Sequence, residues 1–453
     1  MNKTKIYLIS ILLCLFPSLC FGALTAGTVW EYQTTADANN GGGFYDRIPG
    51  TSVDYSQQTA AQLSLTDLAM NFGGTTLTSA TGGFTAAMAG NIIYIASGTN
   101  FTAGFYEIIV RTDTNTVTLD RDATDGHNAS AGVGKVGGAL DVPVDADFET
   151  FKTGDTIYIK AGTYTLTGNI SVGASIPKIY GYSTTRGDAP TSTNRPTIAC
   201  GSYSFSYTQP VRFGYLIFTG EAASVLTSSG SRFDWVKVTN SSTTADRNAF
   251  YIPASSNGFS LFYCEGISTL GEAVQALDTC RCFCCYLHDS NNGFYSTSNG
   301  FFYNCLIAKC TTAGITNAGS TKAANSIIGC TIYGNETPAG TGVTLGETET
   351  YNIFVNNIIY GWTLGATQTT AEVVTNVWDY NDFYNNTTDR TNVTAGVNDM
   401  AINPGFVDAA NGNFQIGSAL RAKGYPGTFP GDLTTGYMSP GAVQPKMKKN
   451  IIF

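Results

Sequence analysis

The sequence predicts an all-β protein, most of which is a solenoid of parallel β-coils. Glycine, serine, threonine, asparagine and aromatic residues are abundant, whereas charged residues make up only 13% of the 453-residue chain. Such a composition suits many short strands joined by turns and disfavours long helices. A short apolar motif also recurs through the second half of the chain, and only one stretch, Gln58–Met70, resembles an amphipathic helix.

The recurring motif can be aligned on its second residue, which we call the marker residue. The markers are Val236, Cys264, Cys285, Cys305, Cys330, Asn357 and Asn381. Successive markers are separated by 28, 21, 20, 25, 27 and 24 residues, and a looser copy of the motif is centred on Leu216. One short strand per 20–28 residues, with loops of variable length between them, is typical of a β-solenoid.

The residues two places before and two places after each marker are mostly apolar, as a strand with one buried face requires. The row after the markers runs from Val238 to Phe383, and the row before them runs from Asp234 to Asp379. We therefore expect the markers and both of these rows to point into the solenoid. The rows between them are more polar and are expected to face outward.

The four marker cysteines are predicted to form an internal ladder with one thiol per coil, about 4.8 Å apart. Buried thiols are the favoured interpretation. Disulfides along the ladder are less favoured because the stacked Cβ atoms lie slightly too far apart, and zinc is less favoured because a flat ladder does not converge tetrahedrally.

Four further cysteines are the better disulfide candidates in an exported protein, and two of them, Cys282 and Cys284, are expected to alternate outward. These candidates are Cys280, Cys282, Cys284 and Cys310. Their pairing stays open, because nine cysteines remain after the loss of Cys14 and Cys20 and at least one must be unpaired within the chain.

Residues 1–22 read as a secretory signal peptide. MNKTK supplies two lysines, IYLISILLCLFPSLC is apolar, and FGA offers small residues for cleavage. The apolar run is too short to span a bilayer comfortably. We therefore expect an exported, soluble protein that is secreted or held at the cell surface.

Three regions are expected after the signal peptide. Residues 23–140 lack the marker and read as short strands joined by Gly, Asn and Asp turns, which indicates a small β-rich module capping the solenoid. The solenoid is expected over residues 141–395, and a C-terminal closing segment and tail over residues 396–453.

Two stretches resemble the right-handed parallel β-helix superfamily, which has the pectin-lyase-like fold. GDTIYIKAGTYT (Gly154–Thr165) is similar to its first coil, and NPGFVDAANGNFQIGSALRAKGYP (Asn403–Pro426) followed by GYMSPGAVQ resembles the closing segment of secreted members. Asn403 replaces the usual aspartate, and SALRAKG replaces SPAIDAG. The resemblance covers roughly residues 141–446 and implies a right-handed parallel β-helix. It does not define one activity, because pectate lyases, chondroitinase-type lyases, polygalacturonases and phage tailspikes share this fold.

The net charge and the motifs limit the classes of molecule that the protein is expected to bind. A net charge of −9 with scattered Lys and Arg makes nucleic acid a poor partner. The two histidines, His127 and His288, have no metal-ligand spacing, so no metal site or cofactor is predicted. The resemblance allows for calcium bound by clustered aspartates, but no ligand-rich loop stands out. The expected partner is a polysaccharide, with no membrane span and with either a monomer or a homotrimer as the assembly.

The outward-facing row after the markers contains the candidate site. Lys237, Glu265 and Tyr286 would stack on three consecutive coils, with His288 farther along the strand of Tyr286. β-Elimination from a uronic acid needs a group that neutralises the carboxylate, a base and an acid. In this hypothesis Lys237 would neutralise the carboxylate or abstract the proton, and Tyr286 or His288 would handle the other proton.

Two aromatic residues on the other flank, Trp235 and Tyr263, would bind the sugar rings. Carbohydrate binding or adhesion without turnover is the leading prediction, because aromatic and amide groups are present while a complete catalytic set is not evident. A polysaccharide lyase or glycoside hydrolase on the same face is the alternative, and a structural stalk or tailspike-like protein is the third. The same groups are also compatible with a plain surface, since an exposed Lys–Glu pair on neighbouring strands contributes well under about 1 kcal/mol.

Overall fold

The computed structural model describes residues 24–172, 177–191, 193–254, 258–318, 325–346, 351–370, 376–421, 423–425 and 439–443. The predicted signal peptide, residues 1–22, lies outside these ranges, as do parts of the predicted C-terminal tail. The described chain forms two compact units. One comprises the residues up to Asp141 together with Gly154–Thr156, and the other comprises Val142–Thr153 and the residues from Ile157 onward.

The first unit contains a short antiparallel pair and a closed antiparallel barrel. The pair is β1 (Val29–Tyr32) and β2 (Gly43–Phe44). The barrel strands are β3 (Leu63–Met70), β4 (Thr76–Ser79), β5 (Ile92–Thr99), β6 (Gly104–Asp113), β7 (Thr116–Leu119) and β8 (Ala129–Val136). They neighbour one another in the order β3-β4-β7-β6-β5-β8, and a short 3-10 helix at Ala86–Met88 precedes β5.

The barrel includes the stretch that resembled an amphipathic helix. Leu65, Leu68 and Met70 of β3 are all buried in the barrel core. The register of β3 shifts between Leu65 and Leu68, so one extra residue separates two inward side chains. This irregularity gives the three-residue spacing that imitates a helical face, and the helical interpretation of Gln58–Met70 is therefore wrong.

The second unit is a parallel β-solenoid in which each coil supplies one strand to each of three sheets. A short α-helix, Asp145–Thr150, lies near its start. The first sheet contains β9 (Thr156–Lys160), β12 (Lys178–Tyr182), β15 (Arg212–Gly214), β18 (Arg232–Asp234), β21 (Phe259–Phe262), β24 (Cys280–Phe283), β27 (Gly300–Tyr303), β30 (Ser326–Ile328), β33 (Ile353–Val355) and β36 (Val377–Asp379).

The other two sheets follow in the same chain order. The second sheet contains β10 (Thr163–Thr165), β13 (Thr197–Gly201), β16 (Ile217–Gly220), β19 (Lys237–Asn240), β22 (Glu265–Ser268), β25 (Tyr286–His288), β28 (Leu306–Ala308), β31 (Thr331–Tyr333), β34 (Ile358–Tyr360) and β37 (Asp382–Tyr384). The third sheet contains β11 (Ile170–Val172), β14 (Phe205–Tyr207), β17 (Ser224–Ser228), β20 (Asn248–Ile252), β23 (Glu272–Ala276), β26 (Asn292–Ser296), β29 (Ala313–Asn317), β32 (Thr341–Leu345), β35 (Leu364–Gln368) and β38 (Thr388–Thr391). The predicted all-β fold, with a parallel β-helix and a β-rich N-terminal module, is confirmed.

The marker residues lie in the interior, as predicted. All seven are fully buried, and each directly precedes a strand of the second sheet. The amides continue the thiol row by hydrogen bonding along the axis: Asn357 Oδ1 accepts from the backbone N–H of Cys330 at 2.9 Å, and Asn357 Nδ2 donates to Asn381 Oδ1 at 2.9 Å. The core ladder is therefore filled by thiols in four coils and by bonded amides in the next two.

A left-handed residue turns the chain between the first and second sheets, immediately before each marker. Its φ lies between 53° and 65° in Tyr215, Trp235, Tyr263, Cys284, Asn304, Gly329, Asn356 and Tyr380. We call these the corner residues. A single left-handed residue interrupts the alternation of inward and outward side chains along a strand. The residues before the corner therefore face the opposite way from what uninterrupted alternation predicts.

The corner residues explain one wrong prediction. The row two places before the markers faces outward, where Phe262, Phe283 and Tyr303 stack with centroids 4.8 and 5.3 Å apart. The interior is filled instead by the residues three places before the markers, such as Phe233 and Leu261, both 0% exposed. The row two places after the markers is buried as predicted, from Val238 to Phe383.

The same corner changes which of the remaining cysteines face inward. Cys282 was expected to face outward, but it is fully buried, and its Sγ lies 3.6 Å from that of Cys280. Cys284 is itself a corner residue and is half-buried. All nine cysteines of the described chain are free thiols, and burial holds the pKa of Cys305 and Cys330 well above the ordinary value. Such protonated thiols act as small apolar core groups.

The C-terminal segment, meaning the described residues from 396 onward, covers part of the outer face of the second sheet. It contains two 3-10 helices, Ala409–Asn411 and Ser418–Leu420. Its apolar side chains form a second core with outward residues of β28, β31 and β34. The members of this core are Leu306, Ala308, Tyr333, Ile358, Tyr360, Ala409, Phe414, Ile416, Leu420 and Ala442.

Candidate functional site

Three of the predicted site residues lie side by side on the outer face of the second sheet. Lys237 on β19 is paired in register with Glu265 on β22, which is paired in turn with Tyr286 on β25. Each is the first residue of its strand and directly follows a buried marker residue. The repeat therefore places a base, an acid and a phenol on three consecutive coils.

Glu265 is the centre of a chain of charged hydrogen bonds. Its Oε1 accepts from Nζ of Lys237 at 2.8 Å and from Nε2 of His288 at 3.0 Å. The Nδ1 of His288 lies 2.5 Å from Oδ2 of Asp289. Burial opposes ionisation of Glu265, but the hydrogen bonds from His288 and Lys237 hold the pKa of its carboxyl below the ordinary value. His288 thus bridges two acids, and neither of its ring nitrogens is left over to act as a base.

Tyr286 packs flat against this chain. Its ring stacks on the imidazole of His288 with a centroid separation of 3.7 Å and an interplanar angle of 16°. Burial, together with the nearby carboxylates of Asp289 and Glu265, raises the pKa of the Tyr286 phenol far above its usual range. The phenol therefore stays protonated at neutral pH and can donate a hydrogen bond.

The two predicted sugar-binding aromatics are corner residues of consecutive coils. The ring of Trp235 stacks on that of Tyr263 at 4.5 Å and 9°, and Tyr215 of the preceding coil lies parallel to Trp235 at 6.5 Å. The next two corner positions are Cys284 and Asn304, which are too small to continue the stack. Tyr263 is 37% exposed and ends the row of rings.

Arg195 is a site residue that the repeat did not reveal. Its guanidinium carbon lies 5.9 Å from the ring centroid of Trp235, a cation–π distance. Burial lowers the pKa of this guanidinium, while the charge of Glu265 acts in the opposite direction. Its buried Nε has no hydrogen-bond partner among the described residues. Arg195 therefore adds a cation beside Trp235 and Glu265.

The outward row is not uniform along the solenoid. Lys237, Glu265 and Tyr286 are partly exposed, whereas Leu306, Thr331, Ile358 and Asp382 are buried beneath other parts of the unit. The C-terminal segment packs on Leu306 and Ile358, and Ala442 donates its backbone N–H to Oγ1 of Thr331 at 3.0 Å. The accessible part of this row consequently ends at the coil of Tyr286.

Three residues that contact the site were not among the site residues predicted from the sequence. Tyr215 could have been found, because it directly precedes Leu216, the looser copy of the marker. Asp289 could have been found from its place next to His288. Arg195 lies in the loop before β13, upstream of every marker, and its approach to Trp235 is a tertiary contact without a sequence signal.

Within the described ranges, no group of three or more His, Cys, Asp or Glu side chains is arranged to hold a metal ion. No helix in the described part of the chain is long and apolar enough to cross a membrane.

No family model and no curated protein matches the chain. Among solved structures, it is similar to a pectate lyase at 11% identity and a TM-score of 0.39, covering 68% of this chain and 91% of that one. It is also similar to a mutant of an alginate lyase of the PL6 family at 15% identity and a TM-score of 0.38, covering 56% of this chain and less than half, 45%, of that one. A tailspike protein of Pseudomonas phage LKA1 aligns at 11% identity and a TM-score of 0.26, covering 72% of this chain and 61% of that one. The assignment as a parallel β-helix protein rests on the three sheets of the structure itself.

Proposed function

We propose that the protein is exported and binds an extracellular or cell-surface polysaccharide through the outer face around Trp235, Tyr263, Lys237, Glu265 and Tyr286. The observation that carries the proposal is the aromatic row Tyr215–Trp235–Tyr263, which ends in a partly exposed ring directly beside a charged hydrogen-bond chain. A flat apolar surface next to oriented polar groups is the combination that suits a sugar ring.

Binding without turnover is better supported than catalysis. A β-elimination needs a base that is free to take a proton and an acid that can release one. Lys237 is paired with Glu265, both nitrogens of His288 face carboxylate oxygens, and burial keeps the proton on Tyr286. These groups are engaged with one another, so they form a rigid polar surface rather than an evident acid–base pair.

Glycan-array binding of Tyr263→Ala and Trp235→Ala variants tests the proposal. We expect the dissociation constant for any glycan bound by the parent to rise at least about tenfold, equivalent to about 1.4 kcal/mol of lost stacking. Tyr351→Ala is the matched control, because Tyr351 is also an exposed tyrosine of the solenoid with a positive φ of 67°. Equal loss in all three variants, or no loss in the first two, would place the binding face elsewhere.

A polysaccharide lyase on the same face remains the second candidate, favoured by the cation Arg195 with its unpartnered Nε beside Trp235. A uronate carboxylate could be neutralised there. Incubation with uronic-acid polymers, followed by the ultraviolet absorbance of unsaturated products, distinguishes the two functions. Product that accumulates with the parent but not with Arg195→Gln would establish turnover, and an inert panel would leave binding as the function.

A further inference from the structure

A second candidate site lies where the second sheet turns toward the third. A cavity of about 570 Å³ opens there beside the ends of β25, β28 and β31 and is closed on one side by Ala410 of the C-terminal segment. Its size falls within the range of about 300–1,000 Å³ that is usual for small-molecule sites. Small residues, among them Gly334 and Ala339, line part of the wall and leave room for a ligand.

The polar groups of this cavity are held in place by neighbours. The carboxylate of Glu336 accepts from the hydroxyl of Tyr333 at 3.2 Å and from that of Tyr360 at 2.8 Å. The carboxylate of Asp289 is bonded through Oδ2 to His288 at 2.5 Å. A carboxylate has about four lone-pair positions, so each of these acids can accept further hydrogen bonds from a ligand.

The side chains that line the cavity carry more negative than positive charge. Asp289 and Glu336 supply two carboxylates, whereas Lys309 supplies the one ammonium group among the described lining residues. That ammonium donates to the backbone carbonyl of Ala410 at 2.8 Å and is partly committed to it. A ligand carboxylate would meet two like charges here, in contrast to the face around Lys237 and Arg195, where cations are present.

We propose that this cavity binds a hydroxyl-rich sugar unit that carries no negative charge, with Asp289 and Glu336 accepting hydrogen bonds from its hydroxyl groups. The proposal rests on the proposed polysaccharide-binding function and adds to it the chemical class of one sugar unit. Hydroxyl donors match fixed carboxylate acceptors, and charge-assisted hydrogen bonds are stronger than neutral ones. The wall formed by Ala339 and Gly334 would contact the apolar part of the ring.

Calorimetric titration of the full chain with oligosaccharides tests this inference. The probes are neutral hexasaccharides of glucose, xylose and mannose, a chitosan hexasaccharide, and a galacturonate hexasaccharide. We expect at least one non-anionic probe to bind, and Glu336→Gln to weaken it about tenfold or more while galacturonate binding stays unchanged. Ala339→Trp, which fills the cavity, should weaken the same probe to a similar extent.

Glu221→Gln is the matched control, because Glu221 is an exposed glutamate of the same unit outside the cavity. Thermal unfolding of each variant separates loss of binding from loss of folding. If non-anionic probes bind but Glu336→Gln and Ala339→Trp leave their affinity unchanged, the cavity is not the site. If only galacturonate binds, and Trp235→Ala removes it, the proposed function stands and the inference about the cavity fails. If no probe binds, both fail.

Discussion

Glu265 holds the candidate site together through its hydrogen bonds to two neighbouring side chains. Glu265 is 15% exposed in its side chain and serves both Lys237 and His288. Removing Glu265 would leave two donors without an acceptor in a partly buried setting, where such loss costs about 1–3 kcal/mol. The cluster therefore has a structural role whether or not a sugar binds to it.

Asp382 is a residue whose environment makes stability depend on pH. It is fully buried on the outward row, its Oδ1 accepts from the backbone N–H of Ile402 at 2.7 Å, and its Oδ2 has no hydrogen-bond partner among the described residues. Burial raises the pKa of its carboxyl to about 7. The unfolded carboxyl has a pKa of about 3.9, so the native state binds more protons between these values.

From this difference we predict that the free energy of unfolding falls as pH rises from about 4 to about 7, because the buried carboxyl must then ionise. Asp382→Asn keeps an acceptor for Ile402 and removes the ionisation. At pH near 8 the variant should be more stable than the parent by an amount on the order of 1–4 kcal/mol, with a smaller difference near pH 5. Urea unfolding at both pH values measures this, with Glu221→Gln as the exposed control. Parallel pH profiles for parent and Asp382→Asn would contradict the prediction.

At the scale of structural elements, the corner is the feature that organises each coil. Seven of the eight corner residues are not glycine, although left-handed backbone is unfavourable for other residues by about 1–2 kcal/mol. Three successive corners, Tyr215, Trp235 and Tyr263, carry aromatic rings despite this cost. This fits a role for these rings beyond folding.

At a corner position, glycine should stabilise the fold more than alanine does, which reverses the usual order. We predict that Trp235→Gly is more stable than Trp235→Ala by about 1 kcal/mol, because only glycine adopts the positive φ of 59° without steric cost. At Thr239, an outward strand position of β19, the order should be the usual one, with alanine more stable. Chemical denaturation of the four variants measures both differences. The same order at both positions would show that the corner carries no such strain.

The core ladder makes a second prediction at this scale. The side chain of Asn357 accepts from the backbone N–H of Cys330 and donates to Ile327 and Asn381, so Asn357→Ala removes three buried hydrogen bonds. We expect a loss of about 3 kcal/mol or more. Cys305→Ala removes only a small thiol and should cost about 1 kcal/mol. Equal losses in denaturant unfolding would mean that the amides do not bond along the axis in solution.

At the scale of the whole molecule, the C-terminal segment decides which part of the second sheet is available. Phe414 is 2% exposed and packs edge-on against Tyr333 with a centroid distance of 5.1 Å. The apolar residues beneath the segment, such as Leu306 and Ile358, would otherwise form an exposed patch of the kind that promotes association.

We therefore predict that Phe414→Asp releases the segment. A buried charge without a partner is costly, so the variant should bind a hydrophobic dye and form higher-mass species. Val407→Asp is the control, because Val407 belongs to the same segment and is 64% exposed. Dye fluorescence and light scattering provide the measurement, and identical behaviour of the two variants would show that the segment does not shield the sheet.

Much of the fold could be predicted from the sequence because a solenoid repeats a local pattern. The spacing of Cys264, Cys285, Cys305 and Cys330 was enough to place them in the interior and to stack Lys237, Glu265 and Tyr286 on the outside. The sequence did not predict correctly which residues of the first sheet face inward, because the left-handed corner shifts the alternation. This corner is formed by Trp, Tyr, Cys and Asn as well as Gly, so no residue type marks it.

What the sequence by itself determined is the coil: its period, its interior row, and the order of side chains along the outer face. Only the tertiary structure decided which outer residues meet a partner. Arg195 approaches Trp235, Glu336 holds two tyrosine hydroxyls from different coils, and the ammonium of Lys309 reaches Ala410, a contact separated by 101 residues. The reason is physical: the alternation of a strand is fixed by its own backbone, whereas contacts between distant segments depend on loops and turns whose lengths follow no repeat.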